Sequence, residues 1–123
     1  MSAALNAMAG DVLLLLRLAL TDEPLGEREK TVLGRVAAGA LALSEDEIAE
    51  LVAALSALAT EAEVMQARVN LRQTSHERRL ILAETLFDLA ARDAELGPRA
   101  DRLTARVCDV LGLGADEVAH LSG

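Results

Sequence analysis

Residues 21–32 read TDEPLGEREKTV, a charged turn between the apolar run Val12–Leu16 and a second helical stretch. A weaker copy follows in the second half of the chain, where residues 92–103 read RDAELGPRADRL, again after an apolar helix and before an amphipathic one. Aligning the two copies superposes Asp22 on Asp93, Leu25 on Leu96 and Gly26 on Gly97. The two turns therefore predict a chain made of two similar helical halves.

The composition predicts one helical domain covering residues 1–123. The chain is long enough to bury a core without disulfide or metal staples. Hydrophobic residues make up 52% of it but aromatic residues only 1%, with Phe87 as the sole aromatic side chain. The core is therefore expected to consist of Leu, Val, Ala and Met.

The charge excludes several classes of partner. A net charge of −8 argues against nucleic acid and against anionic membrane surfaces. Stacking of bases or sugars needs aromatic faces, and phosphate binding needs basic patches, and both are poorly supplied here. Charged partners are therefore expected to be cationic.

The N-terminal sequence MSAALNAMAGD lacks the basic residues that open a signal peptide. The longest apolar run is interrupted by Asp11 and Arg17, so it is too short to span a bilayer. We expect a cytoplasmic protein without direct membrane insertion.

The residue types that most often carry chemistry are interpreted as structural. Cys108, the only cysteine, lies between Val107 and Val110 and is expected to be a small hydrophobe in a helix. His76 and His120 have no partner at metal-ligand spacing, so both are expected at the surface or in a cap, and zinc is not expected. Since no phosphate loop, nucleophile elbow or catalytic triad is readable, we expect no enzyme.

Hydrophobic periodicity and capping signals predict an all-α bundle of about six to seven helices without strands. The first two helices are expected at residues 3–20 and 27–41, and a third begins at residue 45. The fifth is expected at residues 76–92, the sixth begins at Gly97-Pro98 and ends at Gly112, and a last short helix covers residues 115–121. Residues 59–75 form either a short fourth helix or an extension of the third. Capping boxes are predicted at Ser44–Glu47 and at Thr74-Ser75 with Glu77.

The first helix is expected to be central. Leu14 and Leu18 fall outside its main apolar arc, which indicates contacts from more than one direction. Arg17 falls on the side of the helical wheel opposite that arc. The fifth helix is the second candidate for a central position.

At these turns the chain resembles the TerB-like family, the tellurite-resistance-associated helical domain that is also related to the N-terminal part of DjlA-type, membrane-anchored DnaJ-like co-chaperones. In that family an apolar helix ends in a turn of the type Asp-Gly-x-hydrophobic-x-x-x-Glu, usually once per half. Asp22, Leu25 and Glu29 match the first copy, although Glu23 replaces the glycine and Pro24 follows it.

In the second copy Asp93 and Leu96 match, but Ala94 stands where the glycine would be and Ala100 replaces the glutamate. Asp93 is therefore expected to be a cap or turn residue. The resemblance covers roughly residues 12–121 and implies a compact all-α domain of obscure biochemical role. The internal alignment sets the two repeats at about 12–58 and 80–121. For some members it implies a link to tellurite or stress response and metal binding by acidic residues.

Glu29 also stands out on the helical wheel, because it lies within the apolar stripe of the second helix, near Leu33 and Val36. A carboxylate there must be solvated, paired or bound to a cation. In one interpretation Glu29 favours the helix dipole and Asp22 is a loop or cap residue. In the other, Asp22 and Glu29, together with Glu23, are ligands of Ca²⁺ or Mg²⁺.

A basic cluster stands out in this acidic chain: Arg68, Arg72, Arg78 and Arg79. Ion pairs with Glu61, Glu77 or Glu84 on solvated faces are the first interpretation. The alternative is a patch for an anion or an acidic partner.

The leading functional hypothesis is a non-enzymatic TerB-like domain that acts through protein interaction, linked to a divalent cation and to stress response. The partner is not identified by the sequence, and a second copy of the chain is one candidate. The alternative is a small-ligand binder with a cavity between its central helices.

Overall fold

The structure is a computed structural model that describes residues 3–21, 23–39 and 42–119. Within these ranges it contains helices and no strand, which confirms the all-α prediction. The α-helices are α1 Ala3–Leu20, α2 Glu27–Gly39, α3 Glu45–Ser56, α4 Glu61–Arg72, α5 His76–Arg92, α6 Ala100–Leu111 and α7 Ala115–Ala119. A short 3-10 helix, Gly97–Arg99, leads directly into α6.

Helix α1 lies at the centre of the bundle and packs against α2, α3, α4, α5 and α6. Leu13, Leu15, Leu16 and Leu18 are all fully buried. Leu18 is buried although it lies outside the main apolar arc, because neighbouring helices cover α1 on several sides. The prediction of a central first helix is therefore confirmed.

Four helices begin with the same contact, in which a glutamate at the third helical position accepts a hydrogen bond from the backbone N–H of the residue before the helix. The pairs are Glu29 with Gly26 at 3.4 Å, Glu47 with Ser44 at 3.0 Å, Glu63 with Thr60 at 3.2 Å and Glu117 with Gly114 at 2.7 Å. At α3 and α4 the N-cap hydroxyl also accepts from the glutamate N–H. The capping box predicted at Ser44 is confirmed.

Helix α4 decides between the two alternatives for residues 59–75. The chain leaves helical geometry after α3, and Thr60 starts a new helix with a complete capping box. Residues 61–72 are therefore a separate helix and not an extension of α3.

The second predicted capping box is wrong, although α5 begins where it was expected. Ser75 is the N-cap and its hydroxyl accepts from the N–H of Arg78. The third helical residue is thus an arginine, which cannot accept a hydrogen bond. The Thr74 hydroxyl instead donates to the carbonyl of Leu71 at 2.7 Å.

Glycine ends α6 as predicted, since Gly112 has a φ of 67° in the left-handed region. Helix α2 is described to Gly39 and α7 to Ala119, and the predicted ends at residues 41 and 121 lie outside the described residues. Among the described helices, none combines the length and the apolar character that crossing a bilayer requires.

Candidate functional site

The first acidic turn, residues 21–26, is held by Arg17 from the last full turn of α1. The guanidinium donates to the carbonyl oxygens of Thr21 at 2.6 Å and Glu23 at 3.0 Å. It also donates to the carbonyl of Leu58 at 3.2 Å, which ties the turn to the α3–α4 connection. The Arg17 side chain is 0% exposed. Its charge can be buried because backbone oxygens replace water as hydrogen-bond acceptors. The helical wheel, which set Arg17 opposite the apolar arc, did not reveal this burial.

The two predicted metal ligands of this turn can be assessed only in part. Asp22 lies outside the described residues. Glu29 is half-buried, and its Oε1 accepts from the N–H of Gly26, the same helix-start contact that Glu47, Glu63 and Glu117 make. The third helical position of Glu29 was the sequence signal for this role.

No group of three or more His, Cys, Asp and Glu side chains that could hold a metal occurs in the part of the chain that the structure describes. Ca²⁺ takes six to eight oxygen ligands, as a rule. Glu29, already bonded to a backbone N–H, does not supply such a site by itself. The cation interpretation of Asp22 and Glu29 stays a prediction.

The second acidic turn, residues 93–96, is held by Arg35 of α2. Nε and Nη2 of Arg35 donate to Oδ2 and Oδ1 of Asp93 at 3.0 and 2.9 Å, a bidentate ion pair. Oδ1 of Asp93 also accepts from the N–H groups of Glu95 at 2.9 Å and Leu96 at 3.0 Å. These contacts confirm that Asp93 is a turn residue.

The hydrogen bond from Arg35 is the main reason that the pKa of Asp93 lies below its ordinary value, and the two backbone N–H groups add to it. Partial burial of the carboxyl acts in the opposite direction. The same ion pair raises the pKa of Arg35. The carboxylate of Asp93 is therefore kept ionised and fully occupied by donors.

Glu95 extends this network to a second arginine of α2. Its Oε1 accepts from Arg28 at 3.2 and 3.3 Å, and its Oε2 accepts from Arg35 at 3.4 Å. Arg28 and Arg35 are seven residues apart and so lie on one face of α2. That face carries guanidinium groups into the second acidic turn.

The described contacts of the basic cluster join it to other helices, and its predicted ion pairs with Glu61, Glu77 or Glu84 stay a prediction. Most of its contacts are with the C-terminal end of α6: Arg72 with the carbonyls of Asp109 and Val110, Arg79 with the carbonyl of Leu111, and Arg68 with the carboxylate of Asp109. Arg78 pairs with Asp11 of α1 at 2.6 Å. Arg72 and Arg79 stabilise the negative end of the α6 dipole, which local spacing could not reveal.

The remaining candidate side chains behave structurally. His76 is half-exposed at the start of α5, with Nε2 at 3.2 Å from Oε1 of Glu117, as expected for a surface residue. His120 lies outside the described residues. Burial raises the pKa of the Cys108 thiol, which agrees with a small hydrophobe rather than a nucleophile.

Sequence reasoning missed an open groove of about 650 Å³ between α5 and α6. Phe87 is half-buried there, at the boundary between the apolar and polar sides of α5. A smaller groove of about 400 Å³ lies between α2 and α5, and Leu89 lines both. The sequence signal for the α5–α6 groove was Phe87, the sole aromatic residue, which lies close to Glu84 and Asp88 on the same helix.

A family model described as "Tellurite resistance protein TerB" matches residues 5–122, nearly the whole chain. No curated protein and no solved structure matches the chain. The family model agrees with the resemblance carried by the two acidic turns.

Proposed function

This chain belongs to the TerB family, and we propose that it acts in the cytoplasm as a non-enzymatic helical module that binds another protein during tellurite or other stress. The observation that supports the interaction is the groove between α5 and α6. The stress setting rests on the family alone.

The groove has the form of a surface that receives a helix. On α5 it is lined at positions 84, 85 and 87–91, a set that includes 84, 87, 88 and 91, and on α6 at positions 100, 103 and 104. Positions 84, 87, 88 and 91 of α5 and positions 100, 103 and 104 of α6 follow the i, i+3, i+4 spacing of one helix face. Two such faces leave a furrow with Phe87 and Leu103 in it, and amphipathic helices bind in furrows of this kind.

Site-specific photo-crosslinking in cells tests the proposal. A photoreactive residue at Ala91, an exposed position that lines the groove, should give an adduct of defined mass under tellurite stress. The matched control is Ala53, an exposed alanine on α3. Equal labelling at both positions, or no adduct at Ala91, would contradict an interaction at this groove.

A small-ligand binder remains the second candidate, because the groove volume is within the range of about 300–1,000 Å³ that ligand pockets occupy. Native mass spectrometry of freshly purified protein separates the two. A co-purifying small molecule that is lost in Phe87→Ala would favour the ligand binder. A mass equal to that of the chain alone is the outcome expected for the interaction module.

The proposed cation link concerns Asp22 and Glu29. If Ca²⁺ or Mg²⁺ binds there, an excess of about 100 Kd stabilises the fold by about 2.7 kcal/mol and raises the melting temperature. Asp22→Ala and Glu29→Ala should abolish the increase. Glu47→Ala is the matched control, because it removes an equivalent cap from α3. A melting temperature that neither ion changes would rule out the site.

A further inference from the structure

We infer that the α5–α6 groove binds a basic amphipathic helix of the partner protein. This inference rests on the proposed function and specifies the chemistry of its partner. Three observations carry it: the acceptor-only chemistry of the groove, the position of Phe87, and the spacing of the lining residues.

The polar groups that line the groove can accept hydrogen bonds but have little to donate. Glu84 and Asp88 are exposed carboxylates. The hydroxyl groups of Thr85 and Thr104 already donate to the carbonyls of Ile81 and Ala100, each at 2.8 Å. Among the described lining residues no side chain carries a nitrogen. An occupant must therefore bring its own donors, as lysine and arginine do.

Phe87 is positioned to add to the attraction for a cation. It precedes Asp88 directly and follows Glu84 by three residues, and it lies half-buried in the groove. An ammonium or guanidinium group over the ring face is attracted by the ring quadrupole, and the nearby carboxylates add to that attraction.

Arg92 does not prevent this binding. It pairs with Asp88 at 3.3 Å, but the two side chains are 77% and 64% exposed. A surface pair of this kind contributes little to stability. A cation of the partner can therefore replace Arg92 beside Asp88.

The apolar floor favours a helix over a small cation. Phe87 and Leu89 are apolar lining residues that are only half-buried, and a polyamine would leave them exposed to water. Leucine side chains at i, i+3 and i+4 of an amphipathic helix would cover them, while its flanking lysines meet Glu84 and Asp88. The net charge of −8 adds long-range attraction for such a segment.

Three fluorescent peptides test the inference by anisotropy against the full chain. Each has about 18 residues, or five helical turns, and the same leucine face, and only the flanking residues differ: lysine, glutamine or glutamate. The lysine peptide should bind most tightly and weaken with added salt. Glu84→Gln combined with Asp88→Asn should weaken it about tenfold, and Phe87→Leu about threefold.

The glutamine peptide should be insensitive to the charge-removing double variant. Asp46→Asn with Glu50→Gln, two exposed carboxylates of α3, is the matched control and should leave the affinity for the lysine peptide unchanged at moderate salt. Equal affinity for the three peptides, or no binding of the lysine peptide, overturns the inference. If Ala91 still crosslinks a protein in cells, the proposed function survives that failure; if it does not, both are lost.

Discussion

The two acidic turns have related sequences but are fixed by different kinds of contact. Arg17, buried and only four residues from the first turn, binds backbone carbonyls there. Arg35, 45% exposed and on another helix, binds carboxylates of the second turn. The described contacts of Arg17 are with main-chain oxygens, whereas those of Arg35 neutralise acidic side chains of the second turn. A substitution of Arg17 therefore removes hydrogen-bond donors from the backbone of its turn, whereas a substitution of Arg35 removes a counter-charge from carboxylates.

The largest effect is expected from Arg17→Met, which keeps much of the side-chain volume but leaves the carbonyls of Thr21, Glu23 and Leu58 without this donor. The free energy of unfolding should fall by about 3–5 kcal/mol, as when one partner of a buried charged contact is removed. Urea denaturation followed by circular dichroism measures it. Arg102→Met, at an exposed position of α6, should change stability little. A loss below about 1 kcal/mol for Arg17→Met would mean that the two turns depend equally little on their arginines.

A smaller effect is expected from Asp93→Asn, because an asparagine can still accept from the N–H groups of Glu95 and Leu96 while the ion pair with Arg35 is lost. Since Arg35 is largely solvated, we expect a loss of about 1 kcal/mol. A double-mutant cycle with Arg35→Gln isolates the coupling between the two side chains. Additive single losses would show that the pair does not hold the second turn.

The same ion pair predicts a pH dependence. The pKa of Asp93 is lower in the folded state than in the unfolded chain, where it is about 3.9. Its contribution is therefore complete above the unfolded value and is lost as the pH falls through the folded pKa. The stability difference between the native chain and Asp93→Asn should be constant from about pH 5 to 8 and shrink below about pH 4. A difference that grows with acid would contradict the assignment.

Glu29 provides a third test, because its carboxylate caps α2 at the end of the first turn. Glu29→Ala should cost about 0.5–1 kcal/mol, while Glu29→Gln keeps an acceptor for the Gly26 N–H and should cost less. Thermal melts of both variants without divalent cations measure the cap alone. If glutamine destabilises as much as alanine, then charge and not capping explains the position of Glu29.

The smallest effect is expected from Arg28→Gln. Arg28 is 65% exposed and pairs with Glu95 at 3.2 Å. Exposed pairs contribute at most about 1 kcal/mol and are screened by salt, so the loss should be under about 0.5 kcal/mol and vanish in high salt. A loss as large as that of Asp93→Asn would show that Arg28 and Arg35 hold the second turn together.

Helix ends could be predicted because their signals are local. Ser44 and Glu47 are three residues apart, and Gly112 acts through its own backbone freedom. The arginine contacts could not, since Arg17 reaches Leu58 across 41 positions and Arg28 reaches Glu95 across 67. No local pattern encodes which carbonyl or carboxylate a long side chain finds.

The candidate site was predictable to a similar degree. The helical wheel singled out Glu29 because it lies in the apolar stripe of α2. The signal for its observed role is that it is the third residue of the helix, from which it caps the N–H of Gly26. Asp93 was correctly assigned to a turn from the missing glutamate at Ala100. The α5–α6 groove was not predictable, because it depends on how far two helix faces separate at positions 84–104, which hydrophobic periodicity does not specify.

The central position of α1 has a consequence for synthesis on the ribosome. This leucine-rich helix is translated before the helices that cover it, and Arg106 of α6, which binds the carbonyl of Ala19, lies 87 positions later. At about 5–20 residues per second, roughly 4–17 s pass before that partner is made. The side of α1 that packs against α6 therefore stays uncovered during that interval, and chaperones that recognise apolar segments should engage it.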